Sequence, residues 1–178
     1  MCLLLNELEK RTGSKNIKIC SFTGHRPEKG NFCEDEIKIE LRRKINEAAL
    51  LGYKYFISGM SRGFDILAAE TVTEEGFGLI CALPFLNFEE SFGSFWKTRY
   101  KKVFQKNIYT VSFAPYYTGK SLYHIRNKWM VDNSSRIIAY CNGTKGGTLN
   151  TVNYAIKKGK EIVYMECTER GRYENGLF

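Results

Sequence analysis

Long apolar runs are missing from this 178-residue chain. No stretch approaches the roughly 18 uninterrupted apolar residues that a transmembrane helix needs, so we expect no membrane partner. The first residues, MCLLLNELEKRTGSK, carry a short apolar stretch before Asn6 and no basic leader, which argues against a signal peptide. We therefore expect a soluble, cytoplasmic protein.

Closely spaced metal ligands are also scarce. The six cysteines form no Cys-x-x-Cys pair, and the chain has two histidines. A structural zinc site needs several ligands at short spacings, so no metal site is predicted. Free cysteine packs as a small hydrophobe, and Cys20, Cys81 and Cys141 lie in apolar runs. We expect buried, reduced thiols of the kind found in the cytoplasm.

Acidic residues are nearly absent from one region of the chain. Residues 97–136 hold nine basic side chains and one acid, Asp132, and this excess equals the net charge of +8 of the whole chain. A local positive excess indicates an anionic partner. The alternative is that half of these cations form the solvated face of a helix.

Apolar strand-like segments alternate with segments of helical periodicity along the rest of the chain. We predict strands at 17–22, 53–59, 78–83, 107–112, 136–142 and 161–166, and helices at 34–52, 64–76, 88–106, 121–134 and 146–159,. Strands that are apolar throughout favour a parallel sheet covered on both faces. The predicted fold class is α/β: a Rossmann-like, doubly wound, mainly parallel sheet of about six strands with helices on both faces. Residues 1–16 are an N-terminal extension, 17–166 the domain and 167–178 a polar tail.

Turn-forming and polar residues follow the predicted strands. The segments TGHRP, SGMSRGFD, PFLN, SFAPYYTGK and CNGTKGGT come directly after the first five strands. Because ligands of such sheets bind outside the carboxyl ends of the strands, we expect these segments to share one site.

Two of these segments have the chemistry of a phosphate site. SGMSRGFD and NGTKGGT each carry glycines before a helix, where free backbone N–H groups attract anions. Neither matches the dinucleotide G-x-G-x-x-G fingerprint or the Walker A pattern, so neither of those cofactor classes is predicted. Each segment could instead be only a tight strand–helix turn.

Single residues of this rim have competing interpretations. His25 could contact a ligand or satisfy a neighbouring loop carbonyl, and Arg26 could clamp a phosphate or pair with Glu28. Asp65 is predicted as a helix N-cap that also orients its loop. His124 is predicted to be structural or exposed.

Four blocks of the sequence carry a resemblance to a known family. SFTGHRP, SGMSRGFDILAAE, RNKWMVDNSSRIIAYCNGTKGGT and AIKKGKEI occur in this order between about Lys18 and Met165. They resemble the YpsA-like family of the SLOG superfamily of Rossmann-like domains, to which DprA and the LOG phosphoribohydrolases are related. The resemblance implies a nucleotide or a nucleotide derivative, such as an ADP-ribose compound, bound over the strand ends. It implies no particular reaction. We therefore expect a sensor or regulator, with no established cofactor and no assigned catalytic residue.

The two relatives imply alternative functions. DprA-like proteins bind single-stranded DNA and carry a similar Ser-Gly-x-x-Arg-Gly-x-Asp turn, here Ser58 to Asp65, with Arg126 and Asn127 later in the chain. The basic window 97–136, interleaved with aromatic residues, has the composition of a strand-binding groove. LOG hydrolases cleave the N-glycosidic bond of nucleoside monophosphates and have a glutamate where this chain has Thr151, although Asp65 or Glu70 could replace that carboxylate.

The predicted ligand-binding set collects these residues, and whether the chain forms a homo-oligomer stays open. The set comprises Thr23, Gly24, His25, Arg26, Ser58, Gly59, Ser61, Arg62, Gly63, Asp65, Arg126, Asn127, Gly146, Gly147 and Thr148.

Overall fold

The computed structural model of the protein describes residues 2–13, 15–27 and 32–166. Its centre is a six-stranded sheet in the order β4-β3-β2-β1-β5-β6, in which every neighbouring pair is parallel. The prediction of a Rossmann-like α/β fold is confirmed. The strands are β1 (Lys18–Gly24), β2 (Tyr53–Ser58), β3 (Gly78–Leu83), β4 (Tyr109–Ser112), β5 (Arg136–Tyr140) and β6 (Glu161–Tyr164).

Helices cover both faces of the sheet. On one face, Phe22 and Phe56 of the strands pack in a core with residues of the second, third and fourth helices, among them Leu41. On the other, Ile57 packs with Met130 and with residues of the first helix. Burial of each large apolar side chain contributes about 1.5–3 kcal/mol to the stability of the folded state. The helices are α1 (Cys2–Thr12), α2 (Glu34–Leu50), α3 (Phe64–Glu74), α4 (Ser94–Phe104), α5 (Ser121–Asp132) and α6 (Gly147–Lys157).

The segment predicted as an N-terminal extension contains α1, which packs against the sheet. Leu4 and Leu8 are buried beside strand residues of the α5 face. Arg11 donates a hydrogen bond from Nη1 to the carbonyl of Ile108 at 2.8 Å, next to β4. The predicted polar tail, 167–178, lies outside the described residues. No described helix combines the length and apolarity needed to cross a membrane.

One helix boundary and one helix cap differ from the predictions. The predicted helix 88–106 is divided into a short 3₁₀ turn, Phe88–Ser91, and α4, which begins after Gly93. The N-cap of α3 is Gly63, at φ +86°, and Asp65 makes no cap hydrogen bond. The prediction of Asp65 as N-cap was therefore wrong, because only glycine adopts this left-handed conformation without strain and the helix begins immediately after it.

Three of the predicted thiols are buried. Cys20, Cys81 and Cys141 are free and buried, whereas Cys33 is exposed. Desolvation raises the pKa of each buried thiol above its usual value,. These three cysteines are therefore packing residues with little thiolate character.

Candidate functional site

The carboxyl ends of β1 and β5 meet where the direction of the sheet's winding reverses. From β1 the chain crosses through α2 to β2, and from β5 it crosses through α6, on the opposite face, to β6. Gly24 and Tyr140 are register partners at this end of the two strands. Such a switch point leaves a crevice between the diverging loops, and it is where ligands of open α/β sheets bind.

A cleft of about 300 Å³ opens at this point. Ten of the fifteen predicted site residues line it, together with Phe22, Tyr123 and Met130. The tertiary fold thus brings together the segment after β1, the segment after β2, one face of α5 and the start of α6. The ten are Thr23, Gly24, His25, Arg26, Ser61, Asp65, Arg126, Asn127, Gly147 and Thr148.

The other five predicted residues do not line the cleft but several of them build its wall. The Ser58 hydroxyl donates to the carbonyl of Asp65 at 2.7 Å and accepts the N–H of Met60 at 3.1 Å. Gly63 and Gly146 are the N-caps of α3 and α6. The remaining two are Gly59, whose carbonyl accepts a hydrogen bond, and Arg62, which is partly buried.

Arg126 joins α5 to the segment after β2. Its Nη1 donates to the carbonyl of Gly59, and its Nη2 donates to the hydroxyl of Ser61 at 3.1 Å. Nη1 also lies 3.6 Å from Oδ2 of Asp65, which accepts the N–H of Ser61 at 3.3 Å. Among the described residues, Nε of Arg126 has no hydrogen-bond partner although it is buried. One donor of a guanidinium that lines the cleft is therefore unused.

Burial dominates the electrostatics of this pair. Desolvation raises the pKa of the Asp65 carboxyl above its usual value, and Arg126 offsets only part of that effect,. Desolvation likewise lowers the pKa of Arg126, with Asp65 acting in the opposite direction. A guanidinium remains protonated at neutral pH, so the cleft contains a buried positive charge beside one acidic side chain.

His25 connects the segments that follow β1 and β5. The side chain is buried, and its Nε2 accepts the backbone N–H of Asn142 at 3.0 Å. A ring nitrogen that accepts a hydrogen bond carries no proton, so this geometry assigns the proton of the neutral ring to Nδ1. His25 therefore supports the loop before α6 while it also lines the cleft. Arg26 is exposed at the mouth, and Glu28, its alternative partner, lies outside the described residues.

The N-terminus of α6 opens on the same cleft. Gly147 and Thr148 begin this 11-residue helix, and no side chain caps it. The hydroxyl of Thr148 donates to the carbonyl of Gly24 at 3.0 Å, which fastens the helix to β1. Helix N-terminal N–H groups without protein acceptors attract anions. The cleft thus combines a helix N-terminus with a buried guanidinium.

A comparison with known families decides the identity of the chain. The YpsA model, described as the YspA SLOG family, matches residues 11–169. The chain belongs to this family. Proteins designated UPF0398 from Bacillus thuringiensis strain Al Hakam and from Bacillus cereus strain AH187 are each 26% identical over 158 residues, covering 82% of this chain and 86% of theirs.

Solved structures with the same fold extend beyond the YpsA family. DNA processing protein A from Streptococcus pneumoniae matches with a TM-score of 0.63 at 16% identity over 87% of this chain, which spans about half (53%) of that protein. Its Helicobacter pylori counterpart, described for its single-stranded DNA binding mode, also gives 0.63, at 18% identity, covering 86% of this chain and 68% of that one. A molybdenum cofactor binding protein from Rippkaea orientalis gives 0.57, at 19% identity, with coverages of 85% and 77%. These likenesses show a shared fold.

In this YpsA-family chain, Thr151 stands where the resemblance to LOG hydrolases would place a glutamate, and its hydroxyl is hydrogen-bonded. The Thr151 hydroxyl donates to the carbonyl of Gly147 at 2.8 Å and accepts from Nδ2 of Asn127 at 2.9 Å. Asp65 is the one acid among the described residues that line the cleft. Glu70 does not line the cleft. Its carboxylate accepts a hydrogen bond from Nε of Arg99 at 2.7 Å and forms an ion pair with Nζ of Lys38 at 3.0 Å.

The basic window 97–136 does not form one continuous groove. The helix α4 packs on one face of the sheet and α5 on the other. The cations of the basic window are therefore divided between two sides of the domain. Four of the nine are also paired with acids. The pairs are Lys97 with Glu90, Arg99 with Glu34 and Glu70, Arg126 with Asp65, and Arg136 with Glu161.

Three cleft residues, Phe22, Tyr123 and Met130, were missing from the predicted set. Tyr123 and Met130 line the cleft with Arg126 and Asn127, and their spacing along α5 is that of one helical face. Helical periodicity could have identified both residues from the predicted site residue Arg126, because Tyr123 lies three positions before it and Met130 four positions after it. The bond from Asn142 to His25 had no such signal, because 117 residues separate them.

Proposed function

We propose that the chain binds a nucleotide or nucleotide derivative, such as an ADP-ribose compound, in the cleft at the carboxyl ends of β1 and β5. One observation carries the proposal: the N-terminus of α6, which no side chain caps, and the guanidinium of Arg126 border the same 300 Å³ cleft. Both groups favour an anion. Within the described part of the chain, the buried Nε of that guanidinium has no hydrogen-bond partner. The volume falls at the lower end of the range for small-molecule sites and suits one nucleotide.

In this proposal, different lining residues bind the phosphate and the ribose of the nucleotide. The phosphate lies at Gly147 and Thr148, where backbone N–H groups are available. Hydroxyl and amide groups of Thr23, Ser61 and Asn127, which line the cleft, contact the ribose. The exposed Arg26 at the mouth adds a positive charge for a phosphate that extends outward.

We infer a sensor or regulator rather than a hydrolase. Hydrolysis of a glycosidic bond needs a carboxylate that activates water or stabilises the sugar cation. Thr151 cannot hold that charge, and its hydroxyl is already bonded on both sides. Asp65 is adjacent to Arg126 and to the N–H of Ser61, so it balances charge within the wall of the cleft.

Binding of single-stranded nucleic acid is the second candidate function. The exposed lysines of α5 and of the segment before it, Lys120 and Lys128, support it, as does the fold shared with the Helicobacter pylori protein. Against it, the cations of α4 lie on the opposite face of the sheet. A single tract of nucleic acid therefore cannot engage the whole basic window by following one groove.

Thermal unfolding in the presence of AMP, ADP, ADP-ribose and inorganic phosphate tests the first proposal. We expect the nucleotides to raise Tm, because a ligand that binds only the folded state stabilises it. Arg26→Ala should weaken that stabilisation, and Lys101→Ala, which removes an exposed cation from α4, should preserve it. If none of AMP, ADP and ADP-ribose raises Tm, the proposal is overturned.

Two further measurements separate the alternatives. Chromatography after incubation with nucleoside monophosphates should show no free base, and its appearance would establish the hydrolase. A labelled oligonucleotide should bind more weakly than a nucleotide. Salt-dependent oligonucleotide binding that is lost in Lys120→Glu with Lys128→Glu would instead favour the nucleic-acid function.

A further inference from the structure

An aromatic cluster borders the cleft at the α5 side. The Tyr123 ring lies 5.9 Å from the ring of Phe88 and 6.4 Å from those of Phe85 and Tyr117, measured between centroids. The Phe85 ring in turn lies 5.5 Å from Tyr117. These separations are typical of aromatic packing, in which each ring limits the orientation of the next. Four rings thus hold one another in place where α5 meets the loops after β3 and β4.

The members of this cluster differ in exposure in a consistent way. Phe85 and Phe88 are buried with Leu122 in a small apolar core of their own. Tyr123 is partly buried and lines the cleft, whereas Tyr117 is 52% exposed. The two phenylalanines therefore form a buried base, Tyr123 presents surface to the cleft, and Tyr117 beside it keeps accessible surface.

Position on α5 connects Tyr123 with the anion-binding part of the cleft. Tyr123 is one turn before Arg126 on α5, and both side chains line the cleft,. The same helical face therefore presents an aromatic ring and a cation to the cleft. A ligand that satisfies both must have a flat apolar part and an anionic part.

We propose that Tyr123, with the exposed Tyr117 beside it, is the stacking surface for the base of the bound nucleotide. This assignment rests on the proposed function and adds the part of the ligand that the site selects. Every nucleobase offers a flat π face, and a stack of base on aromatic side chain contributes about 1–3 kcal/mol. The cleft then distinguishes nucleotides from sugar phosphates because only a nucleotide has a base that stacks on Tyr123, whereas both ligands carry a phosphate.

Calorimetric titration with AMP and with ribose 5-phosphate isolates the base, because the two probes share ribose and phosphate. The wild-type chain should bind AMP at least tenfold more tightly. Tyr123→Phe keeps the ring and should preserve the AMP affinity within about twofold. Tyr123→Leu keeps apolar packing on Phe85 and Phe88 but removes the ring. It should weaken AMP binding about tenfold, equivalent to about 1.4 kcal/mol, and leave ribose 5-phosphate binding unchanged.

Tyr116→Leu is the matched control, since Tyr116 is 68% exposed and belongs to none of these ring pairs. It should change neither affinity. Tm measured for each variant shows whether the fold is retained. Equal wild-type affinity for AMP and ribose 5-phosphate, or an equal loss of both in Tyr123→Leu, overturns the stacking assignment while leaving the phosphate site in place. Binding of neither probe by the wild-type chain overturns the stacking assignment, and it overturns the proposed function as well if ADP and ADP-ribose also fail to raise Tm.

Discussion

Nη1 of Arg126 lies 3.6 Å from Oδ2 of Asp65, and both side chains are buried where α5 meets the segment after β2. The guanidinium also holds the carbonyl of Gly59 and the hydroxyl of Ser61. One long side chain therefore connects two segments of the cleft wall. An ion pair in this position is sensitive to the loss of either partner, because the remaining group keeps its desolvation cost.

A double-mutant cycle measures that coupling. Asp65→Asn leaves the Arg126 cation buried without an anion, and we expect a loss of about 3–5 kcal/mol in the free energy of unfolding. Arg126→Met should also destabilise, since it leaves the carboxylate with the Ser61 N–H alone. The double variant should be more stable than the sum of the single losses predicts. Urea unfolding provides all four values, and strict additivity would refute the coupling.

Two glycines of the site should respond differently to alanine. A Cβ at Gly59 would lie 1.7 Å from Nη1 of Arg126 and 2.8 Å from Oδ2 of Asp65, so Gly59→Ala must displace the guanidinium. Overpacking of this kind costs about 1–3 kcal/mol, and Tm should fall. A Cβ at Gly147 meets nothing within 4 Å. Gly147→Ala should therefore keep Tm but weaken AMP binding, because the added methyl lies where the ligand approaches α6. A fall in Tm in Gly147→Ala comparable to that in Gly59→Ala would contradict this distinction.

His25 should protect one particular amide from exchange. In His25→Ala the N–H of Asn142 loses the acceptor that lies at 3.0 Å in the wild-type structure, and an unsatisfied amide costs about 1–3 kcal/mol. Hydrogen–deuterium exchange at Asn142 should accelerate at least several-fold. His124→Ala removes the other histidine, which is exposed, and should leave that rate unchanged. Equal protection of Asn142 in wild type and His25→Ala would exclude this role.

Glu70 should contribute stability that is lost in acid. Burial raises the pKa of this carboxyl, but hydrogen bonds from Arg99 and Lys38 outweigh it and hold the pKa below its usual 4.5. A carboxyl whose pKa is lower in the folded state stabilises the fold above pH 4.5 and loses this effect as the pH falls through its folded pKa. The difference in the free energy of unfolding between wild type and Glu70→Gln should thus shrink below about pH 4.5.

Chemical denaturation between pH 3 and 7 measures that difference. Asp35→Asn, at an exposed position of α2, is the control for loss of a surface acid. A difference for Glu70→Gln that stays constant through the acid range would show that its hydrogen bonds do not favour the ionised form.

Local patterns were sufficient for most of the architecture. All six strands and five of the six helices were predicted from apolar runs, helical spacing and glycines at their ends, with boundaries a few residues from the observed ones. Gly93 interrupts the predicted helix 88–106, and α1 was not predicted. The pattern of α1 is weak because few of its residues, such as Leu4 and Leu8, face the sheet.

The sequence by itself determined that polar loops follow the strands of a parallel sheet, because side-chain periodicity and turn chemistry are local properties of the chain. Ten of the fifteen predicted residues meet in one cleft for that reason. Only the tertiary structure decided what each of them contacts. The packing of α4 and α5 on opposite faces divides the basic window. The packing of α5 against the segment after β2 buries Arg126 beside Asp65 and brings Tyr123 to the cleft. These are contacts between residues far apart in the chain, and no local pattern specifies them.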